Sequence, residues 1–98
     1  MSEFLPQLIT LIEDRKRKPK TSSYTNRLLS DPIRAAQKVG EEATEVVVAA
    51  LAQSDEQLVR EMADLIYHSL VLLAAHDLSW GDVMAELETR HTPAARAL

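Results

Sequence analysis

Apolar residues recur every three or four positions along four stretches of this 98-residue chain, a spacing that is typical of amphipathic α-helices. The first stretch begins near Phe4, and Pro19 should end it. A segment at residues 24–29 is predicted to form a short helix or turn that is capped by Thr25. The first third of the chain is therefore expected to be helical.

The two longest predicted helices lie in the centre of the chain. An Asp-Pro pair at 31–32 is a strong helix start, so the second main helix should cover about residues 32–53. Ser54, with Gln57 three residues later, predicts the start of a third main helix that covers about residues 54–76. Because their connection is tight, these two helices should lie antiparallel and in contact.

A fourth main helix should begin at Ser79, where Asp82 completes a second capping pattern, and end near Arg90. Residues from about 91 to 98 are expected to form a flexible tail. With no repeat, linker or low-complexity segment in view, residues 1–98 are predicted to form a single all-α domain, a bundle of four main helices.

The apolar content exceeds what so small a bundle can readily bury. Apolar residues make up 46% of the chain, and a domain of this length has a limited core. We therefore expect the bundle to be completed by association through a helical face, as a homodimer or a larger homo-oligomer.

Composition and charge exclude several classes of function. The chain has no cysteine, which rules out disulfides and thiolate sites, and its net charge of −4 argues against a general nucleic-acid-binding protein. The longest apolar stretch, about residues 65–75, is too short to cross a bilayer. Because the first residues also lack the pattern of a secretion signal, we expect a cytoplasmic protein.

The basic residues are unevenly distributed, and five of them cluster at the predicted end of the first helix: Arg15, Lys16, Arg17, Lys18 and Lys20. Cations are favoured in the last turn of a helix, so this cluster is interpreted most simply as a solvated helix end. The alternative interpretation is that it helps to attract a polyphosphate.

The second main helix carries a group of acids on one side. At about 100° per residue, Lys38, Glu42 and Glu45 lie within about 60° of one another, and Glu41 lies just beyond them. The simplest interpretation is a solvent-facing surface in which these acids pair with Lys38 and Arg34. The predicted apolar arc of the same helix consists of Ile33, Ala36, Gly40, Ala43, Val47 and Ala50.

The third main helix gives the stronger indication of chemistry. It is apolar nearly all round and should form the buried centre of the bundle, yet Glu61, Asp64 and His68 lie together on one side of it. Two buried carboxylates are costly unless they are paired or neutralised. His68 could contact a substrate, support a ligand or be a hydrogen-bonded core residue.

The antiparallel arrangement should bring the two acidic groups to the same level. Glu45 lies nine residues before Ser54, and Glu61 lies seven residues after it. Four carboxylates at one level form an all-oxygen site, which suits a hard cation such as Mg²⁺, with Mn²⁺ as a substitute. The sequence therefore predicts a metal site formed by Glu42, Glu45, Glu61 and Asp64.

These acids and their neighbours carry a family resemblance. The pattern Glu41-Glu42-x-x-Glu45 followed by Glu61-x-x-Asp64 resembles the signature of the MazG-like all-α nucleotide pyrophosphohydrolases. Three further pieces resemble the phosphoribosyl-ATP pyrophosphatase family of histidine biosynthesis: Ser23-Tyr24-Thr25 with Leu28-Leu29, Lys38-Val39-Gly40-Glu41-Glu42, and Asp64-Leu65-Ile66-Tyr67-His68. The resemblance covers roughly residues 4–90.

The resemblance implies Mg²⁺-dependent hydrolysis of phosphoribosyl-ATP to phosphoribosyl-AMP and pyrophosphate by a homodimeric or larger helical assembly. Carried over by position, the ligands are the four acids named above, and Glu41 beside them would orient or deprotonate the attacking water. The expected substrate contacts are Lys38, Arg27 and Arg34 as phosphate-binding cations, Tyr24 and Thr25 from the loop after the first helix, and His68. Thr25 could equally be a helix cap, and Tyr24 a packing residue.

Three other functions remain open at this point, and one of them, a regulatory nucleotide-binding module, would bind the substrate without releasing pyrophosphate. A MazG-like enzyme that hydrolyses non-standard nucleoside triphosphates would use the same metal site on another substrate. A non-enzymatic helical dimerisation module would need no metal at all, and a Glu61→Gln substitution would then affect only its stability.

Overall fold

A computed structural model describes residues 3–91, and this part of the chain is helical without any strand. The five helices are α1 (Phe4–Arg17), α2 (Tyr24–Leu29), α3 (Pro32–Ala52), α4 (Asp55–Ala75) and α5 (Trp80–Arg90). The all-α prediction is confirmed, with α2 as a short helix beside the four main ones. The predicted flexible tail lies almost wholly outside the described residues.

The helix starts follow from local capping chemistry. The Ser54 hydroxyl accepts a hydrogen bond from the Gln57 backbone N–H at 3.1 Å, and the Asp31 carboxylate accepts one from the Arg34 N–H at 3.1 Å. Ser79 and Asp82 form a complete capping box, in which each side chain accepts from the backbone of the other. These contacts confirm the starts that the sequence predicted for α3, α4 and α5.

The cap of α2 differs from the prediction. Ser23, and not Thr25, caps this helix, because the Ser23 hydroxyl accepts from the Asn26 N–H at 3.2 Å. The helix begins one residue before Thr25, which places Thr25 inside the first turn. The Thr25 hydroxyl is therefore free to bond elsewhere, and it hydrogen-bonds to the Tyr67 hydroxyl.

The hydrophobic core lies at one end of the α3–α4 hairpin. It contains buried residues from α1, α2, the start of α3 and the end of α4: Ile12, Leu28, Ala35, Leu70, Val71 and Ala74. The prediction that all of α4 is buried is wrong for its first half, where Val59 is 69% exposed. Because α1 and α2 pack on the end of the hairpin far from its turn, large apolar side chains of the turn half, such as Leu51 and Val59, are exposed within residues 3–91.

The buried face of α3 also differs from the predicted apolar arc. Ile33 is 74% exposed, and Val47 is exposed too, whereas Ala35, Glu42 and Ala49 are buried. These three residues are seven positions apart, so they form one seam along the helix. Alanine at both ends of the seam lets α4 approach closely, and Ile33 and Val47 lie outside the contact.

A compact turn connects the end of α4 to α5. Asp77 has a φ of 58°, and the Asp77 and Leu78 N–H groups bond to the Ala74 and Leu73 carbonyls. This is the Schellman arrangement, with aspartate where glycine is usual. The Asp77 carboxylate also pairs with Lys16, which ties the turn to α1. No helix within residues 3–91 is long and apolar enough to cross a membrane.

Candidate active site

Three acids from α3 and α4 meet at the centre of the hairpin. Glu42, Glu45 and Glu61 each offer a carboxylate oxygen, and these oxygens lie within 4.8 Å of one another. Glu42 and Glu45 are one helical turn apart on α3, and the tight connection at Ser54 brings Glu61 of α4 to their level. Predicted metal ligands from both helices thus come together.

Two of these acids, Glu42 and Glu61, have buried carboxylate oxygens that protein groups satisfy only in part. Glu42 is only 6% exposed, and its buried Oε2 has no hydrogen-bond partner among the residues that the structure describes. Oε2 of Glu61 is buried without a partner as well, although Gln57 Nε2 donates to its Oε1 at 2.9 Å. An unpaired buried carboxylate oxygen lowers the free energy of unfolding by roughly several kcal/mol unless a cation neutralises its charge. The two oxygens fit the requirements of a bound cation.

The proximity of like charges is reflected in the titration of the group. A hydrogen bond with Glu42, another with Glu61 and their negative charges raise the pKa of Glu45 from 4.5 to about 7. The hydrogen bond from Glu45, followed by the contact with Lys38, lowers the pKa of Glu42 in spite of its burial. The three acids therefore retain a proton near neutral pH, which a hard cation would displace.

Cations of α3 lie beside the acids. Lys38 Nζ is 3.2 Å from Glu42 Oε1 and 3.5 Å from Glu41 Oε1, and Arg34 Nη1 donates to Glu41 Oε2 at 2.9 Å. The hydrogen bond to Glu42 is the main cause that raises the pKa of Lys38. Lys38 is therefore a fixed cation next to the acids, as its predicted role in phosphate binding requires.

Glu41 is outside the group of three acids. Its carboxylate is half exposed and is shared by Arg34 and Lys38. Its partial burial acts to raise the pKa of Glu41, but the bonds and charges of Arg34 and Lys38 outweigh this and lower the pKa. Glu41 is thus an ionised carboxylate at neutral pH and is already paired with two cations.

Tyr24 and His68 join α2 to α4 next to this site. His68 Nδ1 is 2.7 Å from the Asp64 carbonyl oxygen, which can only accept, so Nδ1 carries a proton. In the neutral ring, Nε2 then accepts from the Tyr24 hydroxyl at 3.0 Å. His68 is buried, and this double hydrogen bond accounts for a polar ring at that depth.

The other predicted substrate contacts surround this pair. The guanidinium of Arg27 lies 5.7 Å from the centre of the Tyr24 ring, within the range of a cation–π contact. Tyr67 stacks against Tyr24 at 6.4 Å and bonds to Thr25. The exposed Tyr24 ring, with Arg27 on it, forms one edge of the site.

The fourth predicted ligand lies apart from the three acids, and two residues that were not predicted belong to the site. Asp64 has an exposed side chain one turn after Glu61 and is not among the three acids that come together. Gln57 and Tyr67 were not predicted as members of the site, although Gln57 bonds to Glu61 and Tyr67 bonds to Thr25. Gln57 lies four residues before Glu61, and this helical spacing is a signal that could have identified it.

Comparison with known proteins agrees with the geometry. Residues 5–91 match the family described as phosphoribosyl-ATP pyrophosphohydrolase. The chain is 52% identical over 88 residues to a phosphoribosyl-ATP pyrophosphatase of Caulobacter sp. (strain K31), which covers 90% of this chain and 82% of that protein. It is 53% identical over 87 residues to one from Pyrobaculum calidifontis, which covers 88% of this chain and 93% of the other.

A longer relative carries the same region. The histidine biosynthesis bifunctional protein HisIE of Xanthomonas campestris pv. campestris is 47% identical over 91 residues, which is 92% of this chain and 44% of that protein. The match of the family description over nearly the whole chain confirms the resemblance seen in the sequence. This chain belongs to the phosphoribosyl-ATP pyrophosphohydrolase family.

Proposed function

We propose that this protein hydrolyses phosphoribosyl-ATP to phosphoribosyl-AMP and pyrophosphate, a step of histidine biosynthesis, with Mg²⁺ held between α3 and α4. The observation that supports a metal site is the buried carboxylate of Glu42, in which one oxygen has no hydrogen-bond partner among the described residues and lies beside Glu45 and Glu61. The substrate is supported by the names of the family and of its relatives.

The proposed ligands are Glu42, Glu45, Glu61 and Asp64, with Mn²⁺ as a substitute for Mg²⁺. Asp64 would join the other three by a change of its exposed side chain, since it lies on the same side of α4 as Glu61. When bound, such an ion neutralises charge on phosphate oxygens and lowers the pKa of a coordinated water. Carboxylates that leave positions open to water and phosphate suit this role.

The surrounding residues would position the substrate for hydrolysis. A water oxygen bonds to phosphorus, the α–β anhydride bond breaks, and pyrophosphate leaves. Lys38 and Arg34 would bind phosphate oxygens next to the acids, and Tyr24, Thr25, Arg27 and His68 would contact the remainder of the substrate. The Tyr24–His68 hydrogen bond holds two of these groups in one orientation before the substrate arrives.

Glu41 is the proposed residue that orients or deprotonates the water. Its pKa is lowered, so Glu41 is a weaker base than a carboxylate whose pKa lies near neutral pH. Its effect on the rate should therefore lie at the low end of the range for general-base catalysis. We expect Glu41→Gln to lower kcat by about 10²-fold with little change in KM. A change in KM alone would mean that Glu41 serves only to hold Arg34 and Lys38.

The proposed function is tested by measuring pyrophosphate release from phosphoribosyl-ATP with Mg²⁺ and with EDTA. We expect release that requires Mg²⁺ in the wild type and is reduced by at least about 10²-fold in Glu45→Gln. Glu86→Gln, which removes a carboxylate from α5, is the matched control and should retain full activity. Release that continues unchanged in EDTA would exclude the metal site.

The same assay separates the alternative functions. Hydrolysis of a panel of nucleoside triphosphates without hydrolysis of phosphoribosyl-ATP would identify the less specific type of enzyme. Absence of pyrophosphate release from every substrate would support a non-enzymatic helical module.

We further propose that residues 1–98 form one domain that acts as a homodimer in the cytoplasm. The dimer is supported by the uncovered apolar residues on the turn half of the hairpin, among them Val47, Leu51 and Val59. Exposed apolar side chains that are grouped on one part of a molecule are typical of a protein–protein contact. The cytoplasm is where a reaction that consumes a derivative of ATP finds its substrate.

A further inference from the structure

A basic groove lies between the end of α1 and α2, outside the group of acids. Its volume is about 480 Å³, and its walls carry three cations, Lys16, Lys20 and Arg27, together with the hydroxyl groups of Thr21 and Ser30. No carboxylate side chain lines it within the described chain. A cavity with this lining is suited to an anion that has several acceptor oxygens, such as a phosphate.

The walls of the groove are held in place by a single side chain. Asn26 Nδ2 donates to the Arg15 carbonyl at 2.7 Å, and Asn26 Oδ1 accepts from the Lys20 N–H at 2.8 Å. Asn26 thus fastens the loop that follows α1 to both α1 and α2. The cations of the groove are therefore carried on a fixed backbone, which lowers the entropic cost of binding a ligand.

Two of the three cations are available to a ligand. Lys16 is paired with Asp77, whereas Lys20 and Arg27 have no carboxylate within ion-pair distance among residues 3–91. The planar guanidinium of Arg27 is held over the Tyr24 ring and can bind two phosphate oxygens at once.

The groove is connected to the acids through Tyr24. Arg27 contacts one side of this residue, and the Tyr24 hydroxyl bonds to His68, which lies on α4 two helical turns after Glu61. Two regions for binding anions, one at Lys38 and the acids and one in the groove, therefore flank Tyr24. Phosphoribosyl-ATP has a matching character, because it carries a triphosphate and, on its second ribose, a separate 5′-phosphate.

We propose that the basic groove binds the 5′-phosphate of the phosphoribosyl group, with Lys20 and Arg27 as its cations. This inference rests on the proposed function and extends it, because the 5′-phosphate is a charged group that phosphoribosyl-ATP has and ATP lacks. The groove thereby contributes to the selection of the substrate, whereas the acids of α3 and α4 hold the metal beside the anhydride bond that is hydrolysed.

The test compares phosphoribosyl-ATP with the same molecule from which the 5′-phosphate has been removed. In the wild type, removal of the phosphate should raise KM by about 10²-fold, because both charge-assisted contacts are lost and each contributes about tenfold. Lys20→Gln and Arg27→Gln should raise KM for phosphoribosyl-ATP by about tenfold at nearly unchanged kcat, and leave KM for the dephosphorylated substrate unaltered. Arg27→Lys should recover part of the loss.

Lys18→Gln is the matched control, since it removes the same charge from the same loop but does not line the groove. An equal rise of KM in Lys18→Gln would mean that the basic cluster only attracts anions from a distance, and would overturn the proposal. So would an equal rise of KM for both substrates in the groove variants, or no rise at all. Circular dichroism and thermal melting of each variant would exclude loss of folding.

A direct binding measurement separates this proposal from the proposed function. Titration of the ¹⁵N-labelled protein with ribose 5-phosphate should shift the amide signals of Thr21 and Ser30, and Lys20→Gln should weaken this binding by about tenfold. If these shifts occur but phosphoribosyl-ATP is not hydrolysed, the proposed function fails and the groove stands as a sugar-phosphate site. If hydrolysis occurs without the shifts, the groove proposal alone is overturned.

Discussion

At the scale of single residues, the decisive feature is an acid in a seam of alanines. Glu42 occupies the middle of the line that Ala35 and Ala49 form against α4, a position where a small apolar residue would pack well. Lys38 and a hydrogen bond with Glu45 stabilise one side of its carboxylate, and its Oε2 has no partner. The position is unfavourable for folding by itself, and the cation proposed above would compensate for it.

The titration of Glu45 leads to a prediction about stability and pH. Its pKa is raised from 4.5 to about 7, so its contribution to stability is fully present below pH 4.5 and is lost as the pH rises through 7. In EDTA we expect Tm to fall between pH 5 and pH 8. Because Mg²⁺ binds the ionised form, it should raise Tm more at pH 8 than at pH 5.5.

Differential scanning calorimetry with and without Mg²⁺ measures this effect. Glu45→Gln, which cannot ionise, is the control and should show a much weaker dependence of the Mg²⁺ effect on pH. An increase in Tm by Mg²⁺ that is the same at both pH values would contradict the role assigned to Glu45.

At the scale of helices, the capping residues account for where each element begins. Ser54 and the Ser79–Asp82 pair have local roles that depend only on neighbours three residues away, and the structure retains both. The glycine within α3 has no such local explanation. Gly40 has a helical backbone. Apart from its chain neighbours and the backbone of its own helical turns, no atom of residues 3–91 would lie within 4 Å of a Cβ added to it.

Gly40→Ala should therefore stabilise the protein. Alanine in the interior of a helix is favoured over glycine by about 1 kcal/mol, which corresponds to roughly 4–8 °C in the Tm of a domain of this size. Denaturant unfolding gives the change in the free energy of unfolding. Gly81→Ala is the comparison, with a smaller expected gain, because its Cβ would lie 3.4 Å from the capping hydroxyl of Ser79. Loss of stability in Gly40→Ala would show that another molecule contacts this position closely.

At the scale of the whole molecule, the core and the site occupy different parts of the hairpin. The core lies at the end covered by α1 and α2, and the acids lie nearer the turn, where large apolar side chains of both helices are exposed. A second copy that covered this turn half would bury those side chains and restrict access of water to the acids.

The proposed dimer should depend on Leu51, which is 83% exposed next to the turn. We expect Leu51→Lys to convert the dimer into a monomer, because an ammonium group in the contact would lose its hydration. Light scattering after size-exclusion chromatography reports the mass directly. Leu87→Lys introduces the same change on α5 and should remain dimeric. A monomeric wild type would contradict the proposal at once.

Local chemistry allowed the sequence to determine the helices and the approximate level of the acids. Caps and apolar spacing act within a few residues, and the number of residues on each side of the Ser54 connection decides which turns of α3 and α4 face each other. For that reason Glu42, Glu45 and Glu61 could be predicted to meet, as the structure shows. The family likewise followed from short patterns within these helices.

Only the tertiary structure decided which face of each helix is buried. The apolar spacing of α3 would allow more than one of its faces to be buried. The face that is buried carries Ala35, Glu42 and Ala49, because small side chains permit the closest approach of α4. The same packing left the Asp64 side chain exposed and brought the Thr25 hydroxyl to that of Tyr67. The contact of Thr25 with Tyr67 joins residues that are distant in sequence, and the exposure of Asp64 depends on how α4 is rotated against α3. The residue pattern of a single helix carries no information on such contacts or on such rotations.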